Sequence, residues 1–129
     1  MRYITPRKAA VGMGASGTGT ADHWFLTVTA VALTILTPLF MIIVAKAIGL
    51  PREGVVAYFG RPIPAVITAL FIIVGMLHFI RGTRIMIEDY LDHGARKAAI
   101  IFSVVFSWAV IAFAVYALAR MGLGALVLV

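Results

Sequence analysis

Three long runs without a charged side chain restrict the fold of this sequence more than any other feature. They extend from Trp24 to Ala45, from Pro62 to Ile80 and from Ala98 to Ala119. A helix needs about 20 mostly apolar residues to cross the hydrocarbon core of a bilayer. A helix of about 22 residues is about 33 Å long, which is enough for that crossing with a slight tilt. The sequence therefore predicts an all-α membrane protein with three transmembrane helices.

The composition excludes several other classes of protein. The 129 residues are 63% hydrophobic and 12% charged, whereas a soluble domain has about 25% charged residues. There is no cysteine, so the chain cannot hold an iron–sulfur cluster through thiolates or form a disulfide. Lys and Arg number 11 against 5 Asp and Glu. On such an apolar background this excess indicates membrane topology, and no nucleic-acid partner is expected.

The distribution of basic residues predicts the orientation of the helices. Residues 1–22 are expected to be a flexible cytoplasmic tail, and residues 23–129 a three-helix anchor with spans at approximately 24–47, 62–90 and 97–122. Seven basic residues fall on one side of these spans and four on the other: Arg2, Arg7, Lys8, Arg81, Arg84, Arg96 and Lys97 against Lys46, Arg52, Arg61 and Arg120. The bias places the N-terminus in the cytoplasm and the C-terminus on the opposite side.

The second span carries the densest set of polar residues, in the run HFIRGTRIMIEDYLDHG. Since each helical residue advances 100°, His78, Gly82 and Asp89 lie on one stripe. His78 lies about 16 Å along the axis from Asp89, well below the headgroups. A histidine with a glycine one turn later offers a nitrogen ligand beside a gap, which suits a flat macrocycle such as haem. The alternative is a histidine that only hydrogen-bonds a neighbouring helix.

Each of the other polar residues of this helix also has two interpretations. Arg81 could pair with haem propionates through its guanidinium fork, or could extend to the interface without a specific role. Tyr90 could donate a hydrogen bond to a quinone, with Asp89 relaying protons, or both could form an ordinary helix end at the membrane surface. His23 and His93 are expected at the cytoplasmic surface, away from the depth of His78. A second axial histidine would therefore come from another membrane chain.

The run from His78 to Tyr90 resembles the small hydrophobic membrane anchor (D chain) of succinate dehydrogenase, respiratory complex II. That family has three transmembrane helices and a histidine in the second, followed by a glycine four residues later and an acid–tyrosine pair eleven and twelve residues later. His78, Gly82, Asp89 and Tyr90 reproduce this spacing. The tail that leads into His23 and Trp24 is also similar, so the resemblance covers nearly the whole chain.

The resemblance implies a set of cofactors and partners. His78 would be one axial ligand of a haem b iron, with the second ligand from the larger cytochrome b anchor subunit (C chain). Arg81 and Gly82 would lie near that haem. Tyr90 and Asp89 would belong to a ubiquinone site, in a complex that passes electrons from succinate to ubiquinone. FAD and the iron–sulfur clusters would be held only by the flavoprotein and iron–sulfur subunits.

The same resemblance implies a multi-pass subunit of the bacterial inner membrane, without independent activity. One departure is Thr29, at a position where some relatives carry an arginine near the haem propionates.

Two alternatives for the function of the chain remain open. The chain could be a purely structural anchor without haem, or a small membrane transporter, although the uncharged runs lack the acidic residue that proton-coupled exporters usually need.

Overall fold

A computed structural model describes residues 4–12, 14 and 19–127, with side chains up to residue 124. Within these residues the chain forms five helices and no strand. The helices are α1 (Pro6–Val11), α2 (Gly19–Ala47), α3 (Arg52–Phe59), α4 (Pro62–Tyr90) and α5 (His93–Val127). α2, α4 and the part of α5 that ends at Gly124 are long and apolar enough to cross a membrane. The predicted all-α fold with three such helices is confirmed.

Helix α4 covers the same residues as the second predicted span, 62–90, and local residues explain both of its ends. Pro62 is the first residue of α4, where its missing N–H would have no intrahelical partner anyway. At the other end Leu91 has an extended backbone, and its N–H donates to the carbonyl of Ile87 at 2.9 Å. This bond satisfies one of the carbonyls that a helix end leaves free.

The third long helix begins at His93, four residues before the predicted start of that span at residue 97. Only Leu91 and Asp92 separate it from α4. Arg96 stabilises this tight connection, because its guanidinium donates to the Leu91 carbonyl at 2.7 Å and to Asp92 at 3.2 Å. The basic residues after His93 therefore belong to the first turns of the helix and not to a loop.

The N-terminal region differs from a simple tail. α2 begins at Gly19, before the predicted start of the first span. The short helix α1 lies within the range predicted as flexible; the Thr5 hydroxyl caps it by accepting from the Lys8 N–H at 3.2 Å. Residues 13 and 15–18, in the glycine-rich part of the predicted tail, lie outside the described residues. A second unpredicted short helix, α3, follows Pro51 in the connection between α2 and α4.

α4 is the central helix, since it packs against both α2 and α5, while α3 packs mainly on α5. Between α2 and α4, the rings of Phe40 and Phe71 stack with centroids 4.1 Å apart. α5 has the buried residues Ser103, Ser107 and Ile111, spaced four apart on one face. Small residues on such a face let two helices approach closely in a membrane.

Most large apolar side chains point outward. Within the described part of the chain, Ile43, Ile87 and Ile111 are the only buried large hydrophobic residues. Phe102 and Phe113, by contrast, are 71% and 74% exposed. In a membrane protein these outward surfaces are covered by lipid or by neighbouring membrane chains rather than by water.

Candidate functional site

The candidate site lies where α2 and α4 run antiparallel, and His78 is at its centre. Nδ1 of His78 lies 2.8 Å from Oγ1 of Thr29 on α2, which is hydrogen-bond distance. Thr29 is buried, with 8% of its surface exposed. The pair joins the middle of α4 to α2 at a position where each helix would otherwise place a polar group in an apolar layer.

The Thr29 hydroxyl also contacts the backbone of its own helix. Its Oγ1 lies 2.8 Å from the carbonyl oxygen of Phe25 and 3.1 Å from that of Leu26. A threonine on a helix commonly donates to the carbonyl four residues earlier. Thr29 therefore contacts three polar groups, two on its own helix and one on α4.

The stripe that carries His78 continues towards the beginning of α4 through Gly75 and Phe71, and α2 covers this part of it. One turn before His78, a Cβ added to Gly75 would lie 3.9 Å from the Leu33 side chain of α2. Phe71, one turn further back, stacks on Phe40. The stripe from Phe71 to His78 therefore faces α2 inside this chain.

Beyond His78 the same stripe is open. A Cβ added to Gly82 would meet no atom of the described chain within 4 Å. Position 82, one turn after the histidine, therefore carries no side chain and is not covered by another helix of the described chain. A group that this chain does not supply can therefore approach α4 at this position.

Arg81 pairs with Asp22 near the beginning of α2. Nη1 of Arg81 donates to Oδ1 of Asp22, and the two side chains are 42% and 46% exposed. The guanidinium also lies over the ring of Phe25, 5.2 Å from its centroid, a distance at which a cation is attracted to an aromatic face. Arg81 is thus held by α2 rather than simply extended towards solvent.

The two contacts between α2 and α4 form an antiparallel series. Asp22 and Thr29 are seven residues apart, which places them on the same face of α2. Their partners, Arg81 and His78, follow in reverse order on α4. Asp22 was not predicted as a partner, because its spacing from Thr29 indicates a shared face of α2 but not that this face meets α4.

Arg84 lies away from this face and pairs with Glu88, at 2.8 Å on the exposed side of α4. A small polar cavity of about 180 Å³ lies between the two ion pairs; its lining consists of Asp22, Arg81, Arg84, Ile85 and Glu88. The cavity lies where α2 begins and α4 ends. The predicted quinone residues Asp89 and Tyr90 occur at the same end of this helix pair.

Asp89 and Tyr90 end α4 and do not line this cavity. Tyr90 is 83% exposed, and Asp89 is exposed as well. The structure therefore places them at the same end of α4 as Arg81 and Glu88, with their polar groups directed outward. Both are accessible to a molecule or a subunit outside this chain.

The described residues do not build a complete metal site. No group of three or more His, Asp or Glu side chains lies close enough within them to hold a metal ion. His23 lies at the beginning of α2, exposed, and His93 begins α5. His78 is thus a single nitrogen donor, and any metal bound to it would take its other ligands from elsewhere.

Fold and site together define a helical membrane protein with three candidate spans and one histidine held between two of them. The family model described as succinate dehydrogenase/fumarate reductase transmembrane subunit matches residues 1–118, and the chain belongs to this family. A succinate dehydrogenase hydrophobic membrane anchor subunit of Paracoccus denitrificans is 74% identical over 127 residues, which cover 98% of each chain. No solved structure matches the chain. The resemblance predicted from the run His78 to Tyr90 is confirmed.

Proposed function

We propose that this chain is the smaller membrane anchor of a succinate dehydrogenase and that it contributes His78 as one axial ligand of a haem b. The anchor role follows from membership of the family and from the three candidate spans. The observation that supports the ligand is the position of His78, on the central helix and beside the open space at Gly82.

The residues present fit a haem in two respects. Nδ1 of His78 is engaged by Thr29, which leaves Nε2 as the nitrogen that can reach a metal. A planar macrocycle must also approach the helix closely, and Gly82 presents no side chain there. Since the described residues place one nitrogen donor here, the other ligand of such a haem would come from the larger cytochrome b anchor subunit. A haem held in this way supplies reversible one-electron chemistry.

Arg81 would lie in the vicinity of this haem with its charge already partly neutralised. Asp22 accepts from one of its nitrogens, whereas a guanidinium has five N–H donors. The remaining donors can bind a propionate, in which case Asp22 orients the guanidinium for that role. Thr29, which stands where some relatives carry an arginine, contacts the imidazole instead.

Tyr90 and Asp89 would contribute to a ubiquinone site at the junction with the iron–sulfur subunit. The Tyr90 phenol is exposed at the last residue of α4, so it can donate a hydrogen bond to a quinone carbonyl. Asp89 is adjacent and exposed, so it can take up protons from water. The FAD and iron–sulfur clusters would lie in the flavoprotein and iron–sulfur subunits, which the anchor holds at the membrane.

The orientation proposed for the anchor places this end of α4 at the cytoplasmic side of a bacterial inner membrane. Seven basic residues flank this side and four flank the other, as the positive-inside rule requires. The flavoprotein and iron–sulfur subunits would then dock on the face that carries Tyr90.

A structural anchor without haem is the second candidate, and one observation favours it. The hydrogen bond between His78 and Thr29 already gives the imidazole a partner inside the chain. In that case His78 only joins α2 to α4, as polar residues of membrane helices often do.

A reduced-minus-oxidised absorption spectrum of the detergent-purified complex, captured through this chain, distinguishes the two candidates. We expect a b-type haem signal in the native complex and its complete loss in His78→Ala, with all subunits still present. His23→Ala is the matched control, because His23 is exposed at the beginning of α2, and its spectrum should be unchanged. An assembled native complex without haem would contradict the ligand assignment and leave the structural anchor.

A further inference from the structure

We propose that Thr29 is a positioning residue that fixes which nitrogen of His78 is available to iron. This inference rests on the proposed function, since it concerns the histidine that would bind haem. Thr29 acts only through His78, by accepting a hydrogen bond from its Nδ1–H. The assignment goes beyond the ligand itself to the group that controls its tautomer and its donor strength.

The proton count at Thr29 supports this direction of the bond. A hydroxyl has a single proton, whereas a carbonyl oxygen can only accept. The Phe25 carbonyl lies 2.8 Å from Oγ1, in the usual position for a threonine that donates to its own helix. With its proton directed there, Oγ1 has lone pairs left for Nδ1 of His78 at 2.8 Å. His78 must then carry its proton on Nδ1.

The consequence concerns the other ring nitrogen. In a neutral imidazole one nitrogen carries the proton and the other carries a free lone pair. A proton on Nδ1 leaves the lone pair on Nε2, so the ring can bind iron through Nε2 without first exchanging protons. The same bond holds the ring plane, because Thr29 is buried on a packed helix and cannot easily follow a rotating imidazole.

The hydrogen bond also increases the donor strength of the ligand. Partners on the second nitrogen of a metal-bound histidine raise its basicity, and their removal typically weakens metal binding about 10- to 100-fold. A stronger donor favours ferric over ferrous iron. Loss of the bond should therefore move the haem midpoint potential to more positive values. Thr29 is neutral, so its effect is smaller than that of a carboxylate at the same place.

The test compares Thr29→Val, which keeps the shape and removes the hydroxyl, with Thr29→Ser, which keeps the hydroxyl. Thr34→Val is the matched control, because the Thr34 hydroxyl donates to the Ala30 carbonyl of the same helix and is exposed. The purified assembled complexes are titrated for the haem midpoint potential. Haem retention is measured as transfer to excess apomyoglobin.

We expect Thr29→Val to show a positive shift of the midpoint potential and about 10- to 100-fold weaker haem retention. Thr29→Ser should lie close to the native protein, and Thr34→Val should be unchanged. If Thr29→Val does not assemble, Thr29→Ala removes the same hydroxyl with less bulk and should show the same shift.

Two outcomes separate this inference from the proposed function. If His78→Ala abolishes the haem signal but neither Thr29→Val nor Thr29→Ala changes potential or retention, the ligand stands and the positioning role of Thr29 is wrong. If the native complex lacks haem, or His78→Ala retains it, the proposed ligand fails and the role of Thr29 fails with it. A shift in Thr29→Ser as large as in Thr29→Val would also overturn the inference.

Discussion

The two long helices that pack against the central helix α4 use their buried hydroxyl groups in different ways. On α5, the Ser107 hydroxyl donates to the Ser103 carbonyl of its own helix at 2.7 Å. On the α2 side, the Thr29 hydroxyl makes the same kind of bond to Phe25, but it also meets Nδ1 of His78 across the interface. The local bond is similar in both places. The role proposed for Thr29 in positioning an imidazole therefore depends on His78, the residue that faces it on α4.

The two interfaces also differ in the space they leave. Ser107 has no exposed surface at all, whereas one turn after His78 a Cβ on Gly82 would meet nothing in the described chain. A close-packed helix pair cannot take extra volume without strain. The surroundings of Ser107 are therefore filled by this chain, and the surface at Gly82 is available to a group from outside.

The largest effect on assembly is expected from a larger side chain at the completely buried position 107. Ser107→Leu places a large side chain where the native residue is completely buried, and overpacking of this kind typically costs about 1–3 kcal/mol or more. We expect loss of the assembled complex, measured by size-exclusion chromatography of detergent extracts. An assembled complex with native thermal stability would show that the α4–α5 contact is looser than the burial of Ser107 indicates.

If the proposed haem is bound beside His78, added volume at Gly82 should act on the haem rather than on assembly. Gly82→Leu should leave the complex assembled but strongly reduce the haem signal, and Gly82→Ala should reduce it less. The reason is that a Cβ on Gly82 meets nothing in the described chain, so the only obstruction is to an outside group. Haem per complex is measured by absorbance. Unchanged haem content in Gly82→Leu would place the macrocycle elsewhere.

Much of this fold could be predicted because its determinants are local. The bounds of α4 follow from Pro62 and from the polar cluster that ends in Tyr90, and both are visible in the sequence. The start of α5 could not be predicted in the same way, since Asp92, His93 and Gly94 are typical of a helix end and the third uncharged run begins only at Ala98. Arg96 overrides that pattern by bonding back to Leu91 and Asp92.

Only the part of the candidate site that lies on α4 could be predicted from the sequence. The spacing from His78 to Tyr90 is contained in a single helix, so helical periodicity reveals it. The partners Thr29 and Asp22 lie on another helix, and no periodicity within one helix states which face of α2 meets α4. Their contacts depend on the tertiary packing.

A smaller effect on stability is expected from a change in the ion pair between Asp22 and Arg81. Asp22→Asn removes the charge opposite Arg81 but keeps an acceptor of the same shape. Both side chains are nearly half exposed, so solvent screens the pair, and exposed pairs contribute about 0.2–1 kcal/mol. We expect a slight decrease in the thermal midpoint of the complex, largest at low salt. A decrease that is independent of salt would indicate that Asp22 contributes by packing and not by charge.

The smallest effect is expected from removal of the Ser107 hydroxyl alone, and it tests the comparison most directly. Ser107→Ala removes the bond to the Ser103 carbonyl, but alanine favours a helix more than serine does, by roughly 0.5 kcal/mol. The carbonyl can keep its main-chain hydrogen bond, and no partner on α4 loses an acceptor. The lost side-chain hydrogen bond and the gain in helix propensity nearly cancel, so stability and haem content should stay close to native. If Ser107→Ala instead disturbs the haem as Thr29→Val is expected to, then general weakening of the helix packing explains both, and the hydroxyl opposite His78 has no special role.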